Sequence, residues 1–168
     1  MGENELPKLD MGTSDTGCCP KFNAVSWDQR TFVFKNKLFV RAKVWNFMHM
    51  PINLGAVLKR TFKTIREAGA ETDDFILLST DTSPWRGVHY FAVSKEVPGA
   101  DNVKLSGTYE AKVFEGPYKN MRQWIEQLNN YISGKDQRMK QMYFYYTTCP
   151  KCAEFYDKNY VVGFAQVA

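Results

Sequence analysis

One order of elements occurs twice along this chain. From Phe39, "FVRAKVWNFMHM" alternates as a strand does. Ala42 and Val44 point one way, Arg41, Lys43, Trp45 and Phe47 point the other, and Pro51 ends the run. "NLGAVLKRTFKTIREAG" then places Leu54, Val57, Leu58, Phe62 and Ile65 at helical spacing, with Asn53 as N-cap and Gly69 as the stop. "DFILLST" and "VHYFAVSKEV" read as two strands joined by a loop at "DTSPWRG". The series returns 69 residues later, where Glu110-Ala111-Lys112-Val113-Phe114 matches Arg41-Ala42-Lys43-Val44-Trp45. A helix "MRQWIEQLNNYI" and the strands "MYFYYT" and "YVVGFAQV" complete the second series. The expected fold is therefore α+β: a duplicated strand-helix-strand-strand unit, about 37–97 and about 103–168, forming antiparallel sheet with two helices and a central groove.

With 168 residues the chain has room for one domain, expected over 18–168, behind a mobile tail at 1–17 that lacks periodicity. No stretch is apolar enough to span a membrane, and the acidic, polar start lacks the pattern of a secretory signal. A cytoplasmic setting with reduced thiols is expected. The net charge of +4 is mild and dispersed, which argues against a specific nucleic-acid partner or a membrane surface. Aromatic residues make up 15% of the chain, a surplus that favours binding surfaces.

The candidate contact residues follow from that surplus. Trp45, Phe47 and His49 share one strand face, and the repeat puts Phe114 on the equivalent face of the second unit. A packed second layer of core accounts for the same stripe. Trp85 beside Pro84 in a turn is expected as a cavity lid, and Tyr90 joins the set from the strand that follows. "MYFYYT" shows aromatics on both faces, and a base-stacking platform is its rival reading, flanked only by Lys140 and Lys151.

At "GTYEAKVFEGPYKN", with the unit before it, the chain resembles the GyrI-like small-molecule-binding family, over about residues 37–167. Gly116, Pro117 and Tyr118 form the local "GPY" feature. The resemblance implies a bacterial, multidrug-binding type of domain, with an aromatic-lined cavity for flat, hydrophobic and often cationic compounds. It also implies that Phe144 and Tyr146 face the ligand while Tyr143 and Tyr145 pack or reach the rim. Members carry a cavity glutamate where this chain has Phe144, which leaves the acid to come from Glu115, Glu110 or Asp81. The expected role is a stand-alone sensor, sequestering protein or resistance factor that needs no cofactor. Two alternatives accompany the resemblance: a hydrolase of cyclopropane-bearing DNA-alkylating genotoxins, and a protein partner of gyrase.

His49 and His89 are the only histidines, with no recognisable Ser-His-acid pattern around them, so both are expected as polar spacers. Cys149 and Cys152 have metal-ligand spacing, but the other two cysteines, Cys18 and Cys19, are adjacent, and no second Cys-x-x-Cys exists. The expectation is four reduced thiols, no metal, and no redox pair, because no helix start follows Cys149.

Overall fold

The computed structural model describes residues 2–168 and divides into two compact units, Lys35–Ser106 and a second made of residues up to Phe34 together with Gly107–Ala168. Each is an antiparallel sheet carrying one long helix, so the α+β class stands. Among the described residues, no helix is long and apolar enough to cross a membrane.

The continuous unit is built from strand β1 (Thr31–Phe47, from Lys35 on), the short β2 (Met50–Pro51), helix α1 (Leu54–Glu67), β3 (Leu77–Ser83) and β4 (Arg86–Ala92). β4 lies between β1 and β3, with Val44 opposite Gly87 and Gly87 opposite Asp81. α1 turns Val57, Thr61 and Ile65 inward. Ile65 packs in a cluster with Val40, Phe91, Val93 and Val97, which fixes the even-numbered face of β1 as the helix side. Asn53 precedes α1 as expected, but its side chain accepts from the Trp45 amide at 2.9 Å and caps nothing in the helix.

The segmented unit repeats the pattern with β5 (Asn102–Glu115, from Gly107 on), helix α2 (Met121–Ser133), β6 (Met139–Tyr146) and β7 (Tyr160–Val167). Here β7 lies between β5 and β6, and Trp124, Leu128 and Ile132 of α2 pack on Phe114, Phe144, Val161 and Ala165. A third helix, α3 (Pro150–Tyr156), was not expected; Pro150 opens it and Cys149 occupies the N-cap. The Cys149–Cys152 pair therefore sits at a helix start.

The N-terminal stretch expected as a mobile tail is instead anchored in this unit. Asn4 donates its amide to the Val33 carbonyl at 2.8 Å, and Leu6 is buried. Trp27 packs at 5.3 Å on Phe32, and Phe32 at 5.6 Å on Phe164. The apolar "TFVF" also starts β1 at Thr31, eight residues before the expected strand, because Phe32 and Phe34 alternate into the core.

Candidate functional site

In the continuous unit, the end of β1 exposes two large rings. Trp45 and Phe47 stand on the face turned away from α1 and are 59% and 62% exposed. Trp85, 52% exposed, meets Phe47 edge-on at 5.7 Å between centroids. Its tight β3–β4 turn is held to β1, since Asn46 donates its amide to the Trp85 carbonyl and His49 to the Pro84 carbonyl, both at 2.8 Å. Met48, Met50 and Ile52, next along the chain, are exposed as well. The Arg86 guanidinium lies 4.7 Å from the Trp45 ring centre, so that indole already carries a cation of the protein's own.

His49 does not share the strand face with Trp45 and Phe47. β1 ends at Phe47, and Met48 and His49 form a two-residue hairpin turn with both φ angles positive, 49° and 67°. That backbone normally selects Asn or Gly. Here it brings the His49 Nδ1 to 2.8 Å from Asp81 Oδ2. The buried Asn46 amide donates to Asp81 Oδ1 at 2.9 Å and fixes the carboxylate. Gly87 opposite Asp81 leaves room for the group; a Cβ there would lie 3.2 Å from Asp81 Oδ1 and 3.3 Å from the Asn46 side chain. The sequence reading considered Asp81 only as a possible acid and missed this Asn46–Asp81–His49 network. Its one signal was the hairpin register that sets Asp81 beside Gly87.

His89 is no polar spacer either. It is buried on the helix face of β4, with its Nδ1 2.8 Å from Ser79 Oγ directly across the ladder. Burial pushes its pKa below the usual histidine value, and the field of Asp81 opposes that only in part. Tyr90 is half-buried on the other face, edge-on to Phe39 at 6.5 Å.

In the segmented unit, Tyr118 and Tyr146 are exposed and meet edge-on at 5.6 Å, and Phe155 of α3 is exposed as well. Burial of its hydroxyl raises the Tyr118 pKa. Phe114 and Phe144 are enclosed beneath α2: Phe114 stacks on Trp124 at 5.6 Å and 16°, and Phe144 belongs to the same cluster. Tyr145 is buried on the other face against Trp27 at 5.5 Å, and desolvation drives its pKa up strongly. Of the aromatics assigned to this unit, Tyr118 and Tyr146 are thus open to solvent, while Phe114, Phe144 and Tyr145 serve the core.

Among the acids, Glu110 is withdrawn from any ligand. It is 1% exposed and receives Lys135 Nζ at 2.6 Å, Gln137 Nε2 at 3.1 Å and the Thr31 hydroxyl at 3.0 Å. One hollow of 360 Å³ lies between Glu115–Pro117 and the end of α3, and another of 300 Å³ lies between β1 and α1. Neither is lined by an aromatic side chain.

Two solved structures share this fold. An uncharacterized conserved protein from Listeria innocua superposes with a TM-score of 0.64 at 10% identity, covering 85% of this chain and 94% of that one. SAV2435 bound to tetraphenylphosphonium superposes with a TM-score of 0.50 at 14% identity, covering 83% and 93%. Among curated proteins none matches. The family model described as bacterial hydrolase matches residues 9–167, nearly the whole chain, and the chain belongs to that family.

Proposed function

We propose that this protein binds planar hydrophobic small molecules, cations among them, on the exposed Trp45–Phe47–Trp85 group. The observation that carries this reading is that three large rings, each more than half exposed, are held in place by backbone hydrogen bonds between two strand ends. A contiguous exposed apolar patch of this kind marks an interaction surface more often than a structural need. The similar structure that holds tetraphenylphosphonium, a phenyl-bearing cation, supports hydrophobic aromatic cations as ligands of a GyrI-like fold. Tyr118 and Tyr146 offer a smaller aromatic surface with hydroxyls at its edge. A cytoplasmic sensor, sequestering protein or resistance factor is the role that fits such tolerant recognition.

Titration with tetraphenylphosphonium or a rhodamine-type dye is expected to change Trp fluorescence with saturation. Trp85→Ala should weaken binding by about 1–3 kcal/mol if the ring stacks on ligand. Unchanged fluorescence in the folded protein at high micromolar ligand removes the proposal.

The Asn46–Asp81–His49 network favours a second reading, and the family description points the same way. In the tautomer that donates Nδ1–H to Asp81, Nε2 keeps its lone pair and can take a proton from water. The Pro84 carbonyl tethers His49 to the Trp85 turn, so this base would stand beside the aromatic patch. Addition of water to a strained electrophile, such as a cyclopropane-bearing alkylator, is the reaction it suits. Mass spectrometry of the incubated compound tests for the hydrated product. Asp81→Asn should lower turnover by about 10²–10⁴-fold, and equal product with and without protein excludes this reading.

A further inference from the structure

The cysteines form two pairs, with Cys19 and Cys149 130 residues apart, yet in the segmented unit all four sulfurs fall within 4.8 Å of one another. Cys19 Sγ is 3.7 Å from Cys18 Sγ and 3.8 Å from Cys149 Sγ. Disulfide sulfurs stand about 2.05 Å apart, so these are free thiols. Tetrahedral zinc with Zn–S bonds of about 2.3 Å places its sulfurs about 3.8 Å from one another. The observed spacing is that of four ligands around one such centre.

The surroundings are built for the cluster. Gly17, with φ 70°, turns the chain ahead of the adjacent pair. Thr16 Oγ1 accepts the amides of Cys18 at 3.2 Å and Cys19 at 3.3 Å, which leaves its hydroxyl hydrogen for Cys152 Sγ at 3.3 Å. The Cys19 carbonyl receives both the Tyr156 hydroxyl at 2.7 Å and the Ser14 hydroxyl at 2.8 Å. Tyr156 in turn accepts the Asp15 amide at 3.1 Å. On the other side, Cys149 occupies the N-cap position of α3 and Cys152 follows in its first turn, so two intervening residues bring their sulfurs to one place.

We propose that Cys18, Cys19, Cys149 and Cys152 form a tetrathiolate site for a single zinc ion. This reverses the expectation of no metal, which rested on the absence of a second Cys-x-x-Cys and on the sharp turn that an adjacent pair needs to serve one centre; Gly17 supplies such a turn. Zinc carries no redox chemistry in such a closed site, so its effect is structural. Each ligating thiol gives up its proton as the Zn–S bond forms, and metal uptake releases acid. The ion would tie the N-terminal arm to α3, and its binding free energy would add to that of folding. Thr16 acts as a positioning residue, donating to one sulfur while orienting two ligand amides.

The test uses the full chain, reduced and freed of metal, titrated with Co²⁺ as a spectroscopic probe. One equivalent is expected to bind, with the intense visible absorption and sulfur-to-metal charge-transfer bands of tetrahedral thiolate cobalt. One equivalent of Zn²⁺ should abolish those bands and raise the melting temperature. Cys18→Ser and Cys149→Ser are each expected to lose stoichiometric uptake, and Thr16→Val to weaken it by about 10–100-fold. Because a cysteine variant can fail to fold, the wild-type spectrum is decisive by itself. No tetrahedral cobalt spectrum in the reduced protein, or unchanged uptake in folded Cys18→Ser and Cys149→Ser, overturns the site.

Discussion

A carboxylate cut off from water is tolerated only where its charge is answered, and Glu110 is answered from three sides by Lys135, Gln137 and Thr31. Glu110→Gln keeps the shape and removes the charge. The variant should lose about 1–3 kcal/mol in urea denaturation. The lower part of that range is favoured, because Lys135 remains partly exposed and can turn to water. His89 gives a pH-dependent counterpart. Its folded-state pKa lies below the unfolded value of 6.5, so beneath pH 6.5 the unfolded chain binds the extra proton. Stability should therefore fall as the solution is acidified from pH 6.5 toward the folded pKa, by at most about 1.4 kcal/mol per pH unit from this group. Denaturation midpoints of wild type and His89→Gln between pH 7 and 5 check this: the two curves should converge on acidification, and parallel curves contradict it. Neither role was legible in the sequence. Burial of Glu110 and the Ser79 partner of His89 arise from strand register, which no local pattern around those residues reveals.

The repeat was legible at the scale of elements and misleading at the scale of faces. The buried positions of α1 (Val57, Thr61, Ile65) and α2 (Trp124, Leu128, Ile132) are separated by 67 residues throughout, and each helix lies on a sheet with the same strand arrangement. The sequence match at 69 residues pairs Trp45 with Phe114, yet Trp45 faces away from α1 and Phe114 lies under α2. The helix sides of β1 (Val40, Ala42) and of β5 (Phe114) are both even-numbered, so these strands correspond at an even separation, and the odd sequence offset of 69 exchanges their two faces. For that reason exposed and core aromatics could not be told apart by the repeat. α3 escaped notice because "TTCPKC" after a strand reads as a turn, although Pro at a first helical position was a usable signal.

Close approach of α2 to its sheet depends on Gly163, where an added Cβ would lie 2.8 Å from Leu128 Cδ2 and 3.0 Å from Phe114 Cε2. Gly163→Ala should cost about 1–3 kcal/mol by forcing these side chains apart. An unchanged thermal midpoint would show that α2 gives way freely. At the opposite end of the molecule's repertoire, Met48 occupies a left-handed backbone conformation that favours Gly. Met48→Gly should raise stability by up to about 1 kcal/mol, read from the same denaturation curves. If the His49–Asp81 pair is used in chemistry, that gain should come without higher activity.

For the molecule as a whole, the division of the chain matters more than the number of elements. The continuous unit occupies one uninterrupted stretch, Lys35–Ser106, whereas its neighbour is assembled from both ends of the chain. Phe32 and Phe34 reach their partner Phe164 only once the chain has been made through β7. On the ribosome, then, the Lys35–Ser106 unit is expected to finish folding while Phe32 and Phe34 still wait, as bare aromatic side chains, for β7 to be translated. Chains stalled with Ser106 outside the tunnel and β7 still within it should resist protease across the middle and be cut before Thr31, and early protection of the N-terminal arm would contradict this order. A nascent arm that waits until β7 for its packing partner is a natural client for chaperones, and slow translation from Gly107 onward would lengthen its exposure.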